Sequence, residues 1–505
     1  MTPALIITIL VVYFSLLILI SYWTSKGADS NTFFTGDRQS PWYLVAFGMI
    51  GTSLSGVTFI SVPGGVINTG MTYFQVVLGY VLGYVVIAKV LMPLYYKMNL
   101  ISIYEYLEDR FGKYSYKSGA FIFIVSRTIG SALRLYLATI VLQMFLFEGL
   151  GVPYWVTAII TVLLIWVYTF KGGVKTIVYT DAFQTIFLIT SIIVCTVIIC
   201  QDLDVSFVEL YNKITLQNTG VDGKGFSMTK IFYFDDYKST MFFPKSFLGG
   251  MFLAIAMTGL DQDLMQKNLT CKNIKEAQKN MYSFTFIMVC VNFLFLILGG
   301  ALYVYVNQKG IMPELPLKAD GFLKTDYVFP FLTFGFFGTI AGVFFLLGIT
   351  ASSYASADSA LAALTTGFCI DFLNFKRKDE KTRQSQKLFV HIGFSLLFLI
   401  ICLIVNEIQI DGLIDIVLKV AGYTYGPLLG LFFFGILTKR KLIDYLVPYI
   451  CIIAPVLIFI LDTYSIHWFN KYKFGSEIII INGLLTYIGL FIISKPTEKT
   501  IVIIS

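Results

Sequence analysis

Apolar runs long enough to cross a membrane as helices recur from one end of this 505-residue sequence to the other. One helical crossing needs about 20 predominantly apolar residues. Only 13% of the residues are charged, which is about half of the share in an average soluble protein. This composition excludes a soluble multidomain enzyme, and the abundance of Phe and Tyr excludes a disordered chain. The sequence predicts an all-α polytopic protein embedded in a lipid bilayer.

Apolar windows predict about thirteen transmembrane helices. In chain order, the windows cover approximately residues 5–23, 42–66, 71–96, 118–146, 153–170, 180–200, 246–266, 281–306, 331–370, 388–406, 412–436, 442–462 and 475–494. The window at 331–370 is too long for one straight crossing, so we expect this segment to tilt or to break near its Gly and Ser residues.

Lysine and arginine are distributed unequally between the two sets of loops. If the N-terminus lies outside, the inner loops hold 23 of these residues and the outer segments hold 10. Cytoplasmic loops carry the excess of Lys and Arg. We therefore expect an external N-terminus and a cytoplasmic C-terminus in a plasma or inner membrane.

The second window contains a polar cluster between Gly51 and Gly65. Five hydroxyl residues, four glycines and one proline among these fifteen residues disfavour a continuous helix. A broken helix leaves backbone carbonyls free, and carbonyls beside hydroxyls form an oxygen cage suited to a small hard cation. The alternative is close helix packing, which also enriches Gly, Ser and Thr in membranes. The cluster alone does not decide between the two.

A carboxylate, Asp358, lies among four serines in the 331–370 window. Ser352, Ser356 and Ser359 follow an i, i+4, i+7 pattern and share one helix face, with the acid close beside it. An acid at membrane depth is costly unless it lines a site or a pathway. This pattern favours a cation or proton site over helix packing.

Two arginines, Arg127 and Arg134, are seven residues apart in the 118–146 window and therefore share a helix face. A guanidinium stays protonated and offers a planar pair of donors to a carboxylate. One arginine could anchor an anionic solute, while the other pairs with a structural acid such as Asp181 or Asp358. A purely structural role, in which an Arg–Asp pair joins two helices, is the alternative.

Side chains for enzymatic or metal chemistry are scarce. The sequence contains two histidines, and its seven cysteines include no CxxC pair, so no Cys/His metal site can form. An HExxH motif is also absent. We therefore expect no enzymatic activity, no organic cofactor and no nucleic-acid partner.

Three further segments carry a family resemblance. They are Gly172-Gly173-Val174-Lys175 followed by Tyr179-Thr180-Asp181-Ala182-Phe183-Gln184, then Gly259-Leu260-Asp261-Gln262 followed by Gln266-Lys267, and Tyr425-Gly426-Pro427-Leu428-Leu429-Gly430. Their order and approximate spacing resemble the sodium:solute symporter family, which covers bacterial proline, sialate and galactose carriers and animal glucose and iodide carriers. The resemblance extends over essentially the whole chain.

The resemblance implies a LeuT-type core of two inverted five-helix repeats, each with a broken first helix. In the second repeat, Gly249-Gly250 and Thr258-Gly259 lie in the helix that would break. The chain would then divide into an extra span with the first inner loop (1–41), the first repeat (42–200), an extracellular loop (201–245), the second repeat (246–438), and two spans with a short cytoplasmic tail (439–505).

By resemblance, the main sodium site would join the first core helix to the ninth span. It would use the carbonyls of Gly51 and Leu54, the carbonyl of Ser352 and the hydroxyl of Ser356. Ala355 stands where the family usually has a second hydroxyl residue, and Ser353 could replace it only with a shift of register.

Some family members have a second sodium site on the aspartate of the Tyr-Thr-Asp motif. Asp181 matches that aspartate, and Asp358 and Ser359 match the hydroxyl positions that complete the site. An extra carboxylate there would strengthen cation binding or admit a proton. We favour two cation sites.

Solute contacts in the family come from the first core helix and its neighbours. The expected contacts here are Ser53, Ser55, Thr58, Tyr73, Phe74, Gln75, Arg127 and Arg134. Met257 stands at the inner-gate position, where galactose carriers place a tyrosine, so a gate that stacks on a sugar is not supported.

The resulting prediction is a Na+-coupled symporter that imports a small organic solute by alternating access. Sialate, a monocarboxylate and a sugar are the candidate solutes. Hydroxyls together with an intramembrane arginine resemble the arrangement in sialate carriers more than that in glucose carriers. The alternatives are a transporter-like sensor or channel and, from another class, a polytopic membrane enzyme.

Overall fold

The computed structural model describes residues 3–26, 30–169, 173–221, 223–318, 321–373, 375, 378–408 and 413–496. Within them the chain is helical, apart from one short antiparallel pair of strands, β1 (Lys441–Leu442) and β2 (Ser494–Lys495). The α-helices are α1 (Pro3–Thr24), α2 (Ser30–Thr35), α3 (Trp42–Ser53), α4 (Gly56–Thr69), α5 (Phe74–Val86), α6 (Met92–Lys97), α7 (Glu105–Arg110), α8 (Lys113–Leu142), α9 (Tyr154–Thr169), α10 (Gly173–Asp202), α11 (Phe207–Thr215), α12 (Phe243–Ala254), α13 (Gln262–Asn268), α14 (Ile274–Lys309), α15 (Thr325–Gly335), α16 (Gly338–Asp371), α17 (Glu380–Ile408), α18 (Leu413–Leu437), α19 (Val447–Trp468) and α20 (Ile478–Ile492).

The predicted membrane helices are present, although their number is not confirmed. Nine helices of the described ranges are long and apolar enough to cross a membrane, and ten if the bent pair Phe243–Gly259 and Gln262–Asn268 counts as one crossing. Each of the thirteen predicted windows contains a helix. Several windows, however, contain helices that are short or broken into two pieces. Helix length alone therefore does not support thirteen membrane crossings.

The predicted discontinuity in the first core helix lies between α3 and α4. The helix α3 ends where the Leu54 amide donates to the Ile50 carbonyl at 2.8 Å. Ser55 is extended (φ −66°, ψ 170°) before α4 begins at Gly56. The carbonyls from Gly51 to Leu54 therefore have no partner within the helix. This broken helix confirms the expectation for the first repeat.

The corresponding helix of the second repeat is also broken. A π-helical turn, Ile255–Gly259, continues α12, and the chain then bends by 69° into α13. The break follows Gly259, whereas Gly249 and Gly250 lie within the continuous helix α12. A broken first helix in each repeat is thus confirmed.

The segment predicted at 331–370 breaks near its glycines and not at its serines. The helix α15 ends at Gly335, and α16 begins at Gly338, whose positive φ of 77° suits glycine. The serine-rich stretch lies inside α16, and every residue from Gly348 to Gly367 is buried. This helix packs against α3, α4, α8 and α10, so its polar side chains face other helices and not lipid.

Glycines bring the backbones of α5 and α12 into direct contact. A Cβ atom on Gly250 would lie 3.0 Å from the Cα and carbonyl carbon of Val76, and one on Gly79 would lie 2.8 Å from the Met251 amide nitrogen. These distances are shorter than van der Waals contact, and the atoms belong to the backbone. Small residues therefore set the separation of these helices.

Replacing Gly250 by Ala should lower the unfolding temperature of the purified protein, because the new methyl group must push α5 away from α12. We expect the overpacking to lower the free energy of unfolding by about 1–3 kcal/mol. The higher helix propensity of Ala relative to Gly, about 1 kcal/mol, offsets this loss in part. Gly393→Ala in α17 is the matched control, since nothing lies within 4 Å of a methyl group added there. Equal thermal unfolding of the two variants in detergent would contradict the close contact.

Candidate cation and solute sites

A polar cavity opens beside the break between α3 and α4. It is lined by residues of α3, α4, α5, α8, α12, α13, α14 and α18 and of the segments that join them. These residues are Thr52, Ser53, Leu54, Ser55, Val57, Thr58, Tyr73, Tyr80, Tyr84, Arg127, Arg134, Leu253, Ala254, Met257, Thr258, Leu264, Met288, Val417 and Leu418.

The polar part of this lining consists of hydroxyls and guanidinium groups, and the rest is apolar. Eight of the lining residues carry a hydroxyl, and two are arginines. No lining residue within the described part of the chain is Asp, Glu, Lys or His. The cavity therefore offers many neutral hydrogen-bonding groups and positive charge, but no carboxylate that could hold an ammonium group of a solute.

The two arginines have different surroundings. Arg127 makes an ion pair with Asp263, and its Nη1 lies 3.8 Å from Asp261 Oδ2. Tyr425 also donates to Asp261. Arg127 thus joins α8 to the start of α13, which is the structural alternative, with these two acids in place of the expected Asp181 or Asp358.

Arg134, in contrast, makes no ion pair or hydrogen bond with any residue that the structure describes. Its side chain is 9% exposed, and it lines the cavity. A guanidinium at membrane depth normally has a partner. Arg134 is therefore the positive group that is available to a bound molecule.

Most of the predicted solute contacts reach the cavity, but two do not. Ser53, Ser55, Thr58 and Tyr73 line it. Phe74 instead packs on Phe293, with ring centroids 5.4 Å apart.

Gln75 is fully buried and holds the loop between α11 and α12. Its amide donates to the carbonyls of Thr72 at 3.1 Å and Met241 at 2.9 Å, and it accepts from the Tyr233 amide at 3.1 Å. Both hydrogen-bonding ends of the side chain are occupied. Neither Phe74 nor Gln75 therefore lines the cavity. Of these three consecutive residues, Tyr73 is the one whose side chain reaches it.

Four hydroxyl-bearing lining residues were not among the expected solute contacts: Thr52, Tyr80, Tyr84 and Thr258. The tyrosines had a usable signal, since Tyr73, Tyr80 and Tyr84 are spaced i, i+7, i+11 and share one face of α5 and its N-cap. Thr258 lies in the π-helical turn that precedes the second break. A regular helical pattern could not place it.

Met257, the expected gate residue, lies between two cavities. It lines the polar cavity, and it also lines a smaller one bounded by Ser126, Gly130 and Tyr425. Both cavities also share Arg127 and Arg134.

The expected main sodium ligands come together at the break. A Cβ atom on Gly51 would lie 3.5 Å from the Ala355 Cβ, so α16 packs directly against the last turn of α3. The hydroxyl of Ser356 is buried and has no hydrogen-bond partner among the described residues. The Ser352 hydroxyl instead donates to the Ile349 carbonyl at 3.1 Å.

Ser353 also faces this break. Its buried hydroxyl contacts Gly56, the first residue of α4, and is likewise unpartnered within the described ranges. Residues 352, 353 and 356 span about 100° of the helix surface. Ala355, which carries no hydroxyl, therefore faces α3. Ser353 faces α4 and supplies a hydroxyl there.

The three residues expected to form the second cation site each make a different contact in the structure. Asp181 Oδ2 accepts from Thr52 Oγ1 at 2.8 Å and from the ammonium group of Lys267. Asp358 Oδ2 accepts from the Tyr168 hydroxyl at 2.8 Å.

The third member, Ser359, donates to Asp263 and so belongs to the network of Arg127. The other oxygens of Asp181 and Asp358 are buried without a hydrogen-bond partner in the described part of the protein.

Lys267 directly follows the 246–266 window and was counted among the 23 basic residues of the inner loops, but the structure places it elsewhere. It lies in α13 and its side chain is 2% exposed.

The sodium:solute symporter family model matches residues 33–442 of the chain. Among curated proteins, the sodium/sialic acid symporter NanT of Aliivibrio fischeri is 26% identical over 92% of this chain and 89% of its own length. The sodium-coupled monocarboxylate transporter 2 of Bos taurus is 27% identical over 82% of this chain and 64% of its own length.

Solved structures show the same fold. A substrate-bound, outward-open Na+-coupled sialic acid symporter superposes with a TM-score of 0.79, at 20% identity over 96% of this chain and 97% of the other. Mhp1, a nucleobase-cation-symport-1 family transporter, superposes with a TM-score of 0.53 at 11% identity, over 90% and 92% of the two chains. The chain belongs to the sodium:solute symporter family and is a Na+-coupled solute symporter with a LeuT-type fold.

Proposed function

We propose that the solute is a small organic monoanion that carries hydroxyl groups, and that Arg134 binds its carboxylate. The observation that carries this proposal is an unpaired guanidinium in a cavity lined by hydroxyls. A planar guanidinium forms two parallel hydrogen bonds with a carboxylate. The lining hydroxyls then serve the solute's own polar groups.

The cavity also disfavours other solutes. Without a lining carboxylate in the described residues, the ammonium group of an amino acid would be left unpaired at a cost of several kcal/mol. A neutral sugar would leave Arg134 without a hydrogen-bonded counter-ion, since its interaction with Asp261 is through space only. The names of two relatives, a sialic acid symporter and a monocarboxylate transporter, agree with a monoanion.

Sodium is proposed to bind at the break between α3 and α4. Its ligands would be the carbonyls of Gly51 and Leu54 and the hydroxyl of Ser356, with Ala355 and Ser352 on the same face of α16. The free carbonyls and the unpartnered, buried hydroxyl support this placement.

Coupling follows from the position of the break. The same few residues, from Gly51 to Thr58, supply oxygens to the sodium site and hydroxyls to the cavity. A cation that fixes this segment also fixes the hydroxyls that face the solute. Each ligand should therefore raise the affinity of the other by the same factor.

We further infer an external N-terminus and a cytoplasmic C-terminus, with import into the cell and with Met257 at the inner gate. The excess of Lys and Arg in the inner loops supports this orientation, and moving Lys267 into α13 does not remove the excess. No enzymatic step and no organic cofactor are needed for this activity. The relatives named above are transporters, which disfavours the enzyme, sensor and channel alternatives.

The test is uptake into proteoliposomes under an inward Na+ gradient. Radiolabelled sialic acid, lactate, glucose and proline would be compared, with K+ replacing Na+ as the control. We expect Na+-dependent uptake of one of the two anions. Na+-dependent uptake of glucose or proline alone would contradict the assignment of Arg134.

Arg134→Lys should weaken solute binding, because it keeps the charge but loses the planar pair of donors. A loss of one charge-assisted hydrogen bond of about 1.5–3 kcal/mol corresponds to a KM for the anion that is about 10-fold to 100-fold higher. The Na+ concentration for half-maximal uptake should change little. Arg127→Lys is the matched comparison and should mainly lower the unfolding temperature, since Arg127 pairs with Asp263. An unchanged KM in Arg134→Lys would rule out the carboxylate contact.

Ser356→Ala should raise the Na+ concentration for half-maximal uptake several-fold, because a partly dehydrated ion loses one oxygen ligand. Ser353→Ala tests whether the hydroxyl next to Gly56 also contributes. Ser395→Ala is the control, since that buried hydroxyl bonds only to the His391 carbonyl of its own helix, at 2.8 Å. If the Na+ dependence is the same in all three variants, sodium binds elsewhere.

A further inference from the structure

Lys267 lies at the place where a second sodium ion would be expected. Its ammonium group donates to Asp181 and to the Thr52 hydroxyl. A sodium ion held by the Tyr-Thr-Asp aspartate would need these same oxygens. A lysine ammonium and a small cation both present one positive charge to surrounding oxygens, so they compete for one position.

The site is fully enclosed. Lys267 is 2% exposed, and Asp181 and Thr52 are 0% and 1% exposed. A buried charge without a partner is strongly destabilising. Asp181 therefore requires a cation at this place in every state in which it remains buried and ionised, and Lys267 supplies one from the chain itself.

A second carboxyl group, that of Asp358, lies near this lysine, whose single charge Asp181 already balances. Asp358 lies within electrostatic range of both Asp181 and Lys267, and it makes no ion pair of its own within 4.0 Å in the ranges that the structure describes. Within the described ranges, the Tyr168 hydroxyl is the one side-chain group that donates to it. The ammonium group of α13 therefore pairs with the acid of α10, and the acid of α16 interacts with it through space.

Together these contacts connect three elements that belong to different parts of the transport core. Thr52 is in α3, Asp181 in α10 and Lys267 in α13, the helix that follows the second break. A free sodium ion could leave this junction and cross the membrane with the solute. A lysine attached to the backbone cannot.

We propose that Lys267 is the permanent occupant of the second cation site, and that the carrier therefore moves one sodium ion with each solute molecule. The inference rests on the proposed Na+-coupled transport of an anion and sets its stoichiometry. Asp181 and Asp358 then hold a cation, as the sequence suggested, but the cation belongs to the protein.

The deciding experiment measures the Na+ stoichiometry of the unmodified protein in proteoliposomes. At zero membrane potential, the solute gradient that just stops net flux equals the Na+ gradient for one coupled ion and equals its square for two. Sialic acid and lactate are the probes. We expect one ion, and two would overturn the proposal.

Variants test the role of the lysine itself. Lys267→Gln should raise the Hill coefficient for Na+ from about one towards two, because the vacated oxygens can accept a second ion. Lys267→Arg should keep it at one. The double variant Asp181→Asn, Lys267→Gln removes both charges and should also stay at one.

If Lys267→Gln does not fold, the double variant Asp181→Asn, Lys267→Gln, which leaves neither charge of the pair unbalanced, still decides. The proposal predicts an unchanged stoichiometry of one, whereas a sodium ion bound by Asp181 predicts a fall from two to one. Complete absence of Na+-dependent uptake by the unmodified protein would instead refute the proposed function, so the two failures are distinguishable.

Discussion

The bilayer interior requires a partner for every polar group, and the rest of this structure depends on how that requirement is met where α3 stops. The helix ends at Ser53 and resumes at Gly56, which leaves carbonyls that no helix can satisfy. The buried helix α16 faces them with small residues and serines. Because such atoms are not left unpartnered in hydrocarbon, we propose the break as the place where a cation binds.

The charged side chains show the same requirement. Arg127 and Lys267 are each held by carboxylates from neighbouring elements, so their charges are used within the protein. Arg134 is not paired in this way and faces the cavity. Arg134 and the free oxygens at the break lie at the same cavity. This arrangement gives a physical basis for joint binding of an anion and a cation.

Much of the fold could be predicted from the sequence, because the apolar windows and the cluster from Gly51 to Gly65 depend on local composition. The break in the second repeat was expected on the correct helix, but glycines alone did not show that it follows Gly259. Ser55, in the break, and Tyr73, just before α5, line the cavity as expected. Gln75 does not reach the cavity because it forms hydrogen bonds with Met241 and Tyr233 of a distant loop. No local pattern in the sequence indicates these contacts.

The ion pairs were the least predictable feature. Lys267 stands in a motif next to a charged loop, and its contact with Asp181 joins residues 86 positions apart. Likewise, Arg127 meets acids more than a hundred positions away. Only the packing of α13 between α3, α10 and α16 brings them together.

The most direct test of joint binding at the break is a reciprocal binding measurement on the purified protein. The dissociation constant of radiolabelled sialic acid or lactate would be measured over a series of Na+ concentrations, and that of Na+ over a series of anion concentrations. The account predicts that each ligand lowers the dissociation constant of the other by the same factor. An anion affinity that does not depend on Na+ would contradict it.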